Sequence, residues 1–302
     1  MINVVGASRW YGQVIGVNDV TCEIGPGVTA LLGQNGAGKS TLMRLMTGQM
    51  RPTTGSVRVF GQDPFANPAV FRRLGFCPDT DACPPYLSGR EFVYRAARLS
   101  GYSHSESISK SEQALQTVGM ENRAHQRSQA YSKGMRQRIN LAQAIVHDPD
   151  VLLLDEPLNG LDPVGRRQFM DVLAKLSEQG KSIVVSSHVL FEVEQMTRSL
   201  LLLHHGRLLA TGELADIRSL IDKHPHRIQI STSNPRQLAA HVVCLPYVVS
   251  VEVGQTVEVQ TREPNRFYDE LPRLVLEEGL DVTGVVSPDA NMEAVFSYLV
   301  AE

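Results

Sequence analysis

GQNGAGKST occupies residues 33–41 and satisfies the pattern G-x-x-x-x-G-K-[ST]. The largely apolar residues 28–32 precede it and predict a buried strand; a helical stretch follows. Glycines let the backbone bend until successive amides converge on phosphate oxygens, and the following helix adds the positive end of its dipole. Gly33, Asn35, Gly36, Ala37, Gly38, Lys39, Ser40 and Thr41 are therefore the phosphate-binding candidates. Lys39 would neutralise charge on the β- and γ-phosphates, and the Ser40 hydroxyl would bind Mg2+. With average residue frequencies the pattern arises by chance in roughly one 300-residue chain in a hundred.

Outward from this loop, short apolar runs alternate with amphipathic helical stretches over residues 1–220, the pattern of a parallel sheet flanked by helices. Residues 151–156 read VLLLDE. Four apolar residues predict a buried strand that delivers two carboxylates at its end, Asp155 to hold Mg2+ through water and Glu156 to polarise an attacking water as general base. Alone, such a pair is more often a surface acidic ending; beside the glycine loop the odds reverse. A helix is expected from Asp162, its cap, and Pro163 to Gly180, with Phe169, Val172, Leu173 and Leu176 on one buried face. Residues 131–138, YSKGMRQR, open another helix, with Met135, Ile139, Ala142 and Val146 on one face.

These motifs, followed by NGLD at residues 159–162 and SSH at residues 186–188, recur in this order in ABC-family ATPases, which residues 1–220 resemble. The resemblance implies an α/β P-loop ATPase domain with a helical subdomain at about residues 85–145. It further implies that Tyr11 stacks on adenine and that Ser132 and Gly134 contact the γ-phosphate of ATP held by the opposite subunit. Asp162 resembles the D-loop aspartate, and His188 the switch histidine, whose imidazole can donate one hydrogen bond to the γ-phosphate. Three residues depart from the family pattern: in the signature Lys133 stands where glycine is common and Met135 where glutamine is common, and Asp79 stands where the Q-loop carries glutamine. The carboxylate of Asp79 can still order water or approach Mg2+.

The resemblance also implies ATP and Mg2+ as cofactors, a second ATPase subunit as partner in a homodimer, and a separate integral-membrane permease for export. A regulatory or nucleic-acid-handling ATPase and a weakly hydrolysing half of a heterodimer are the alternatives. Against the former, the net charge of -3 gives no general reason to bind nucleic acid, and neither a coiled-coil insertion nor a second ATPase unit is present. The four scattered cysteines lack zinc-site spacing and read as reduced thiols. Asn3, Ser8 and Arg9 interrupt any signal-peptide core, and no apolar run approaches the ~20 residues of a membrane span. The expected location is cytoplasmic, peripheral on the cytoplasmic face of the membrane.

Residues 221–302 change texture, after His224-Pro225-His226 as linker, and predict a small α+β domain, read as a βαββαβ sandwich. Its hairpin turns at Gly254-Gln255, and Val295-Phe296 would complete its core or support a dimer. His204-His205 reads as a turn before Gly206, Arg72-Arg73 as a solvated face, and Trp10 as packing.

Overall fold

The computed structural model describes residues 1–80, 82–213 and 225–287. The chain divides into two compact units, Met1–Glu213 and Leu214–Glu302. The expected boundary at residues 220–221, His224 of the linker and the pair Val295-Phe296 lie outside the described residues.

Two sheets build the first unit. β1 (Ile2–Tyr11), β2 (Val14–Ile24) and β4 (Thr54–Val59) form an antiparallel layer in the order β2-β1-β4. The second sheet joins β3 (Gly27–Leu32), β5 (Leu74–Cys77), β6 (Val151–Leu154), β7 (Ser182–Ser187), β8 (Ser199–His204) and β9 (Arg207–Glu213). Its order is β5-β6-β7-β3-β8-β9, with β9 antiparallel to β8 and the other neighbours parallel.

The helices of this unit are α1 (Lys39–Met46), α2 (Pro68–Phe71), α3 (Gly89–Leu99), α4 (His104–Thr117), α5 (Lys133–Ile145), α6 (Pro163–Glu178) and α7 (Leu190–Met196). The period-two alternation of the central strands divides their side chains between two cores. Leu152, Leu154, Ile183 and Val185 pack with residues of α3 to α6, while Leu31, Val151, Leu153, Val184 and Leu201 pack with α1 and the antiparallel layer. A strand covered on both faces is favoured by a near-continuous apolar run, as residues 151–154 provide. Burial of each such leucine or valine contributes about 1.5–3 kcal/mol.

On α6, Asp162 accepts from the Gly165 amide at 2.8 Å, Pro163 occupies the first turn, and Phe169, Leu173 and Leu176 are buried. Ser132 caps α5 by accepting from the Met135 amide at 3.3 Å. Both caps satisfy amides that lack partners within the helix.

Trp10 is 45 % exposed, so it does not provide the packing expected of it. Register shifts between Val4 and Ala7, Ala7 and Arg9, and Arg9 and Trp10 break the alternation of β1, so its inward phase is not kept to the strand end. Arg73 also differs from a freely solvated side chain: its Nε pairs with Asp150 at 2.6 Å and its guanidinium lies 3.8 Å from the Phe60 ring centroid. His204 ends β8, paired with Arg207, and His205 and Gly206 make the turn to β9.

In the second unit the described elements run β10 (His226–Thr232), a helix at Pro235–Val242, β11 (Val248–Val253), β12 (Val257–Thr261), a helix at Pro264–Glu277 and β13 (Val282–Val286). The sheet order is β11-β12-β10-β13 with antiparallel pairing throughout. Ile228, Ile230, Val257 and Val259 form its core with Leu238, Val242, Phe267 and Leu271 from the two helices.

Candidate functional site

The carboxyl ends of β3, β5, β6 and β7 converge, the place where an open parallel sheet presents backbone and side chains that are not consumed by its own ladder. β3 ends in the glycine loop 33–38, β6 in Asp155-Glu156 and β7 in Ser186-Ser187-His188. The pairing Leu32 with Ser187 and Leu154 with Val185 sets these endings side by side. The Gly33 amide donates to the Ser187 carbonyl at 3.2 Å, and the Asp155 amide to the Cys77 carbonyl at 2.8 Å.

Gly38 caps α1 in a left-handed conformation, with φ of 104°. A Cβ there would stand 2.3 Å from the Gly16 carbonyl oxygen, so both the turn and the close approach of β2 require glycine. The Ala37 carbonyl accepts from the Gly206 amide at 2.9 Å, so the β8–β9 turn holds the loop from behind. Asn35, Gly36 and Ser40 are exposed, Thr41 is half-buried, and the Tyr11 ring and the Thr41 side chain both pack on the bare Cα of Gly16. Tyr11, 40 % exposed, thus stands at the mouth of the loop, its hydroxyl on Met50 Sδ at 3.2 Å.

Lys39 is buried, and its ammonium is saturated. It donates to the Gly33 carbonyl at 2.6 Å and the Gln34 carbonyl at 3.2 Å, and pairs with Glu156 Oε1 at 3.0 Å. Glu156 in turn takes His188 Nδ1 on its other oxygen at 2.9 Å. Lys39, Glu156 and His188 therefore form one polar chain across three strand ends. Glu156 has a φ of 47°, a left-handed backbone that costs a glutamate about 1 kcal/mol.

Ser186 belongs to the same cluster, and sequence reading assigned it no role of its own. Its hydroxyl donates to Asp155 Oδ1 at 2.7 Å and accepts from the Glu156 amide at 2.7 Å, so one side chain holds the Asp155 carboxylate and the Glu156 backbone. The available signal was a serine ending the apolar run of β7, whose residues are all buried. A second support joins the Ser187 hydroxyl to Glu192 at 2.9 Å and Glu192 to Arg166 at 3.2 Å, which fixes the segment on either side of His188.

Asp79 follows β5 beside these groups. Its carboxyl is pushed above the usual range, first by burial and then by the charges of Asp155 and Glu156, while Lys133 and His188 oppose the rise. Burial, with smaller contributions from Asp155 and Asp79, pushes the nearby Cys77 thiol up to about 12.

Ser132, Gly134 and Asp162 form a second group. A Cβ built on Gly134 would meet Leu161 Cδ2 at 3.3 Å, and Lys133 lies on Gly160, so the turn that opens α5 packs on the loop 159–162.

Taken as chemistry, the first group can bind a triphosphate through converging amides and an ammonium, and can activate water with a carboxylate held beside a histidine. Residues 17–159 match the family model described as ABC transporter. The chain is 32 % identical to the bacitracin transport ATP-binding protein BcrA of Enterococcus faecalis over 99 % of this chain and 96 % of that protein. It is 30 % identical to the daunorubicin/doxorubicin resistance ATP-binding protein DrrA of Streptomyces peucetius, over 85 % of this chain and 76 % of the relative. Among solved structures, an ATP-binding subunit of an ABC transporter superposes with a TM-score of 0.66 at 30 % identity, covering 72 % of this chain and 92 % of that one.

Proposed function

The chain belongs to the ABC transporter family and is an ATP-binding, ATP-hydrolysing subunit of such a transporter, and from that premise we propose that it powers export through a separate membrane permease, acting as a homodimer on the cytoplasmic face. Relatives named for bacitracin transport and for drug resistance support the direction. No helix among the described residues is long and apolar enough to cross a membrane, which accords with spanning by another chain. The domain reading that goes with this is an ATPase domain over residues 1–220 and a small accessory domain over residues 221–302.

The observation that carries the mechanism is the polar chain from Lys39 through Glu156 to His188. A γ-phosphate entering the glycine loop exchanges partners with Glu156 on both sides: Lys39 turns to phosphate oxygens, and the His188 imidazole donates to the phosphate. Glu156, released but still held by its backbone bond to Ser186, is then free to take a proton from the attacking water. Loss of the phosphate restores the original contacts. Tyr11 stacks on the base, and the amides of residues 33–41 hold the phosphates.

Mg2+ would be held by the Ser40 hydroxyl and, through water, by Asp155, and Asp79 would order a further water; the metal would neutralise charge on the β- and γ-phosphates. The donor set is hard oxygen, as Mg2+ requires, and the Ser186 hydroxyl already aims one Asp155 oxygen. In the dimer, Ser132, Gly134 and Asp162 of one copy face the nucleotide of the other, so ATP supplies the contacts that close the pair and hydrolysis removes them.

Glu156→Gln tests the assignment. That variant is expected to bind ATP, persist as a dimer on sizing chromatography with ATP, and turn over at least about a hundredfold more slowly. Undiminished turnover defeats the general-base role. Lys39→Ala is expected to abolish Mg2+-dependent ATP affinity, and unchanged affinity would overturn the phosphate-binding reading itself.

A further inference from the structure

β5 lies at the end of its sheet, so one row of its backbone groups faces no neighbouring strand. Its inner edge pairs with β6, and just past the strand ladder the Cys77 carbonyl accepts from the Asp155 amide at 2.8 Å. The outer edge faces α5. There the Leu74, Phe76 and Thr80 carbonyls take side-chain donors in place of a strand: His147 Nε2 at 3.0 Å, Gln143 Nε2 at 2.7 Å and Asn140 Nδ2 at 3.2 Å.

The two spacings match. Residues 140, 143 and 147 recur at i, i+3 and i+7, one face of α5 continued just past its end, while Leu74 and Phe76 share an edge at the period of a strand. A carbonyl can only accept, so each of the three side chains must present an N–H, which sets the Nε2 tautomer of His147 and the orientation of both amides. Asn140 is 1 % exposed and its Oδ1 is buried without a partner, so the donor is the part of this amide that the site uses. Gly75 permits the close approach: a Cβ there would stand 2.2 Å from the Ala144 carbonyl oxygen, on the backbone of the helix itself.

This row joins parts of the site that lie on different elements. α5 opens at Ser132, and Asp79 stands between Cys77, tied to Asp155, and Thr80, tied to Asn140. The strand end is thus held on both edges, and a displacement of α5 must carry Asp79 with it.

We propose that Asn140, Gln143 and His147 are positioning residues, whose donors take the place of a missing strand along β5 and so fix Asp79 and Asp155 relative to Ser132. Its consequence for turnover rests on the ATPase reading above; the grip on the strand end does not.

The grip is read without nucleotide or metal through the Cys77 thiol, which is fully buried in this strand end. Asn140→Leu and Gln143→Met keep the size of each side chain and remove its donor. In prolonged iodoacetamide treatment followed by mass spectrometry, each is expected to speed modification of Cys77 about fivefold, and the two together at least about tenfold. Gln143→Lys, which keeps a donor on an unbranched stem, should stay within about twofold of the parent. Cys22, in the other apolar core, should keep its rate. An unchanged Cys77 rate, a Lys variant as fast as the Met variant, or a rise at Cys22 in step with Cys77 would each overturn the positioning role, the last because it signals loss of stability throughout the domain.

Turnover reads the link to the site. At saturating ATP, Gln143→Met is expected to raise the Mg2+ concentration for half-maximal hydrolysis about threefold with Asp79 intact and less than about 1.5-fold in the Asp79→Asn background. Equal shifts in the two backgrounds would overturn the placement of Asp79 by this row. If the parent chain shows no MgATP turnover, the ATPase reading fails on its own, and the thiol rates still decide the grip of α5 on β5.

Discussion

At the scale of single residues, the site is governed by close approaches and by what sits next to each charge. Gly38 illustrates the first. Gly38→Ala would press a methyl against the Gly16 carbonyl from a left-handed backbone, and we expect a loss of about 2 kcal/mol or more in denaturant unfolding together with loss of ATP affinity. The thiols illustrate the second. Burial pushes Cys22 up to about 11 and Cys77 up to about 12, Cys83 is buried, and Cys244 is exposed. Brief treatment of the native protein with iodoacetamide at pH 8 is therefore expected to give one adduct by mass spectrometry, at Cys244, with the others modified only after unfolding. Rapid modification of Cys77 would show that the strand end beside Asp79 opens readily. Residue identity alone pointed to Lys39, Asp155 and Glu156, because their types and spacing are those of a phosphate and water site. It could not show that Glu156 adopts a φ of 47°, pairs with Lys39 and takes its amide partner from Ser186, since these contacts cross between strands.

At the scale of elements, the caps and buried faces were legible because they are local. Asp162, Pro163 and Gly180 bound α6, whose apolar residues recur at the helical period, and β6 coincides with the uninterrupted run 151–154. Asp162→Ala removes the side-chain acceptor of the Gly165 amide and should cost about 1 kcal/mol, seen as a lower melting midpoint. Its effect on turnover should exceed what that small destabilisation explains, because the same cap fixes the end of the loop 159–162 on which Lys133 rests; turnover equal to the parent's would confine Asp162 to capping. Trp10 and Arg73 were less legible. The bulges of β1 expose the indole, and Asp150, the partner of Arg73, is 77 residues away in sequence. Neither a broken alternation nor a distant partner leaves a mark in the neighbouring residues.

At the scale of the whole molecule, among the described residues the two apolar clusters of the first unit run as far as Leu208, and that of the second begins at Ile228. A chain ending after Leu220 should therefore keep its affinity for ATP within about twofold. We further expect it to self-associate less in the Glu156→Gln background, as sizing chromatography with ATP would show; unchanged association would remove any role for the second unit in the dimer.

The amino-acid sequence by itself determined the α/β class, the glycine loop, the strand that delivers Asp155 and Glu156, and the order of motifs that places the chain in its family. These are contiguous signals, set by backbone stereochemistry and by the period of burial. Only the tertiary structure decided that Lys39, Glu156 and His188 form one chain of contacts, that Ser186 holds the Asp155 carboxylate and the Glu156 backbone, and that Lys133 lies across Gly160. Each of these joins residues on different elements, and their distances follow from strand order and register, which long-range packing sets and no local stretch encodes.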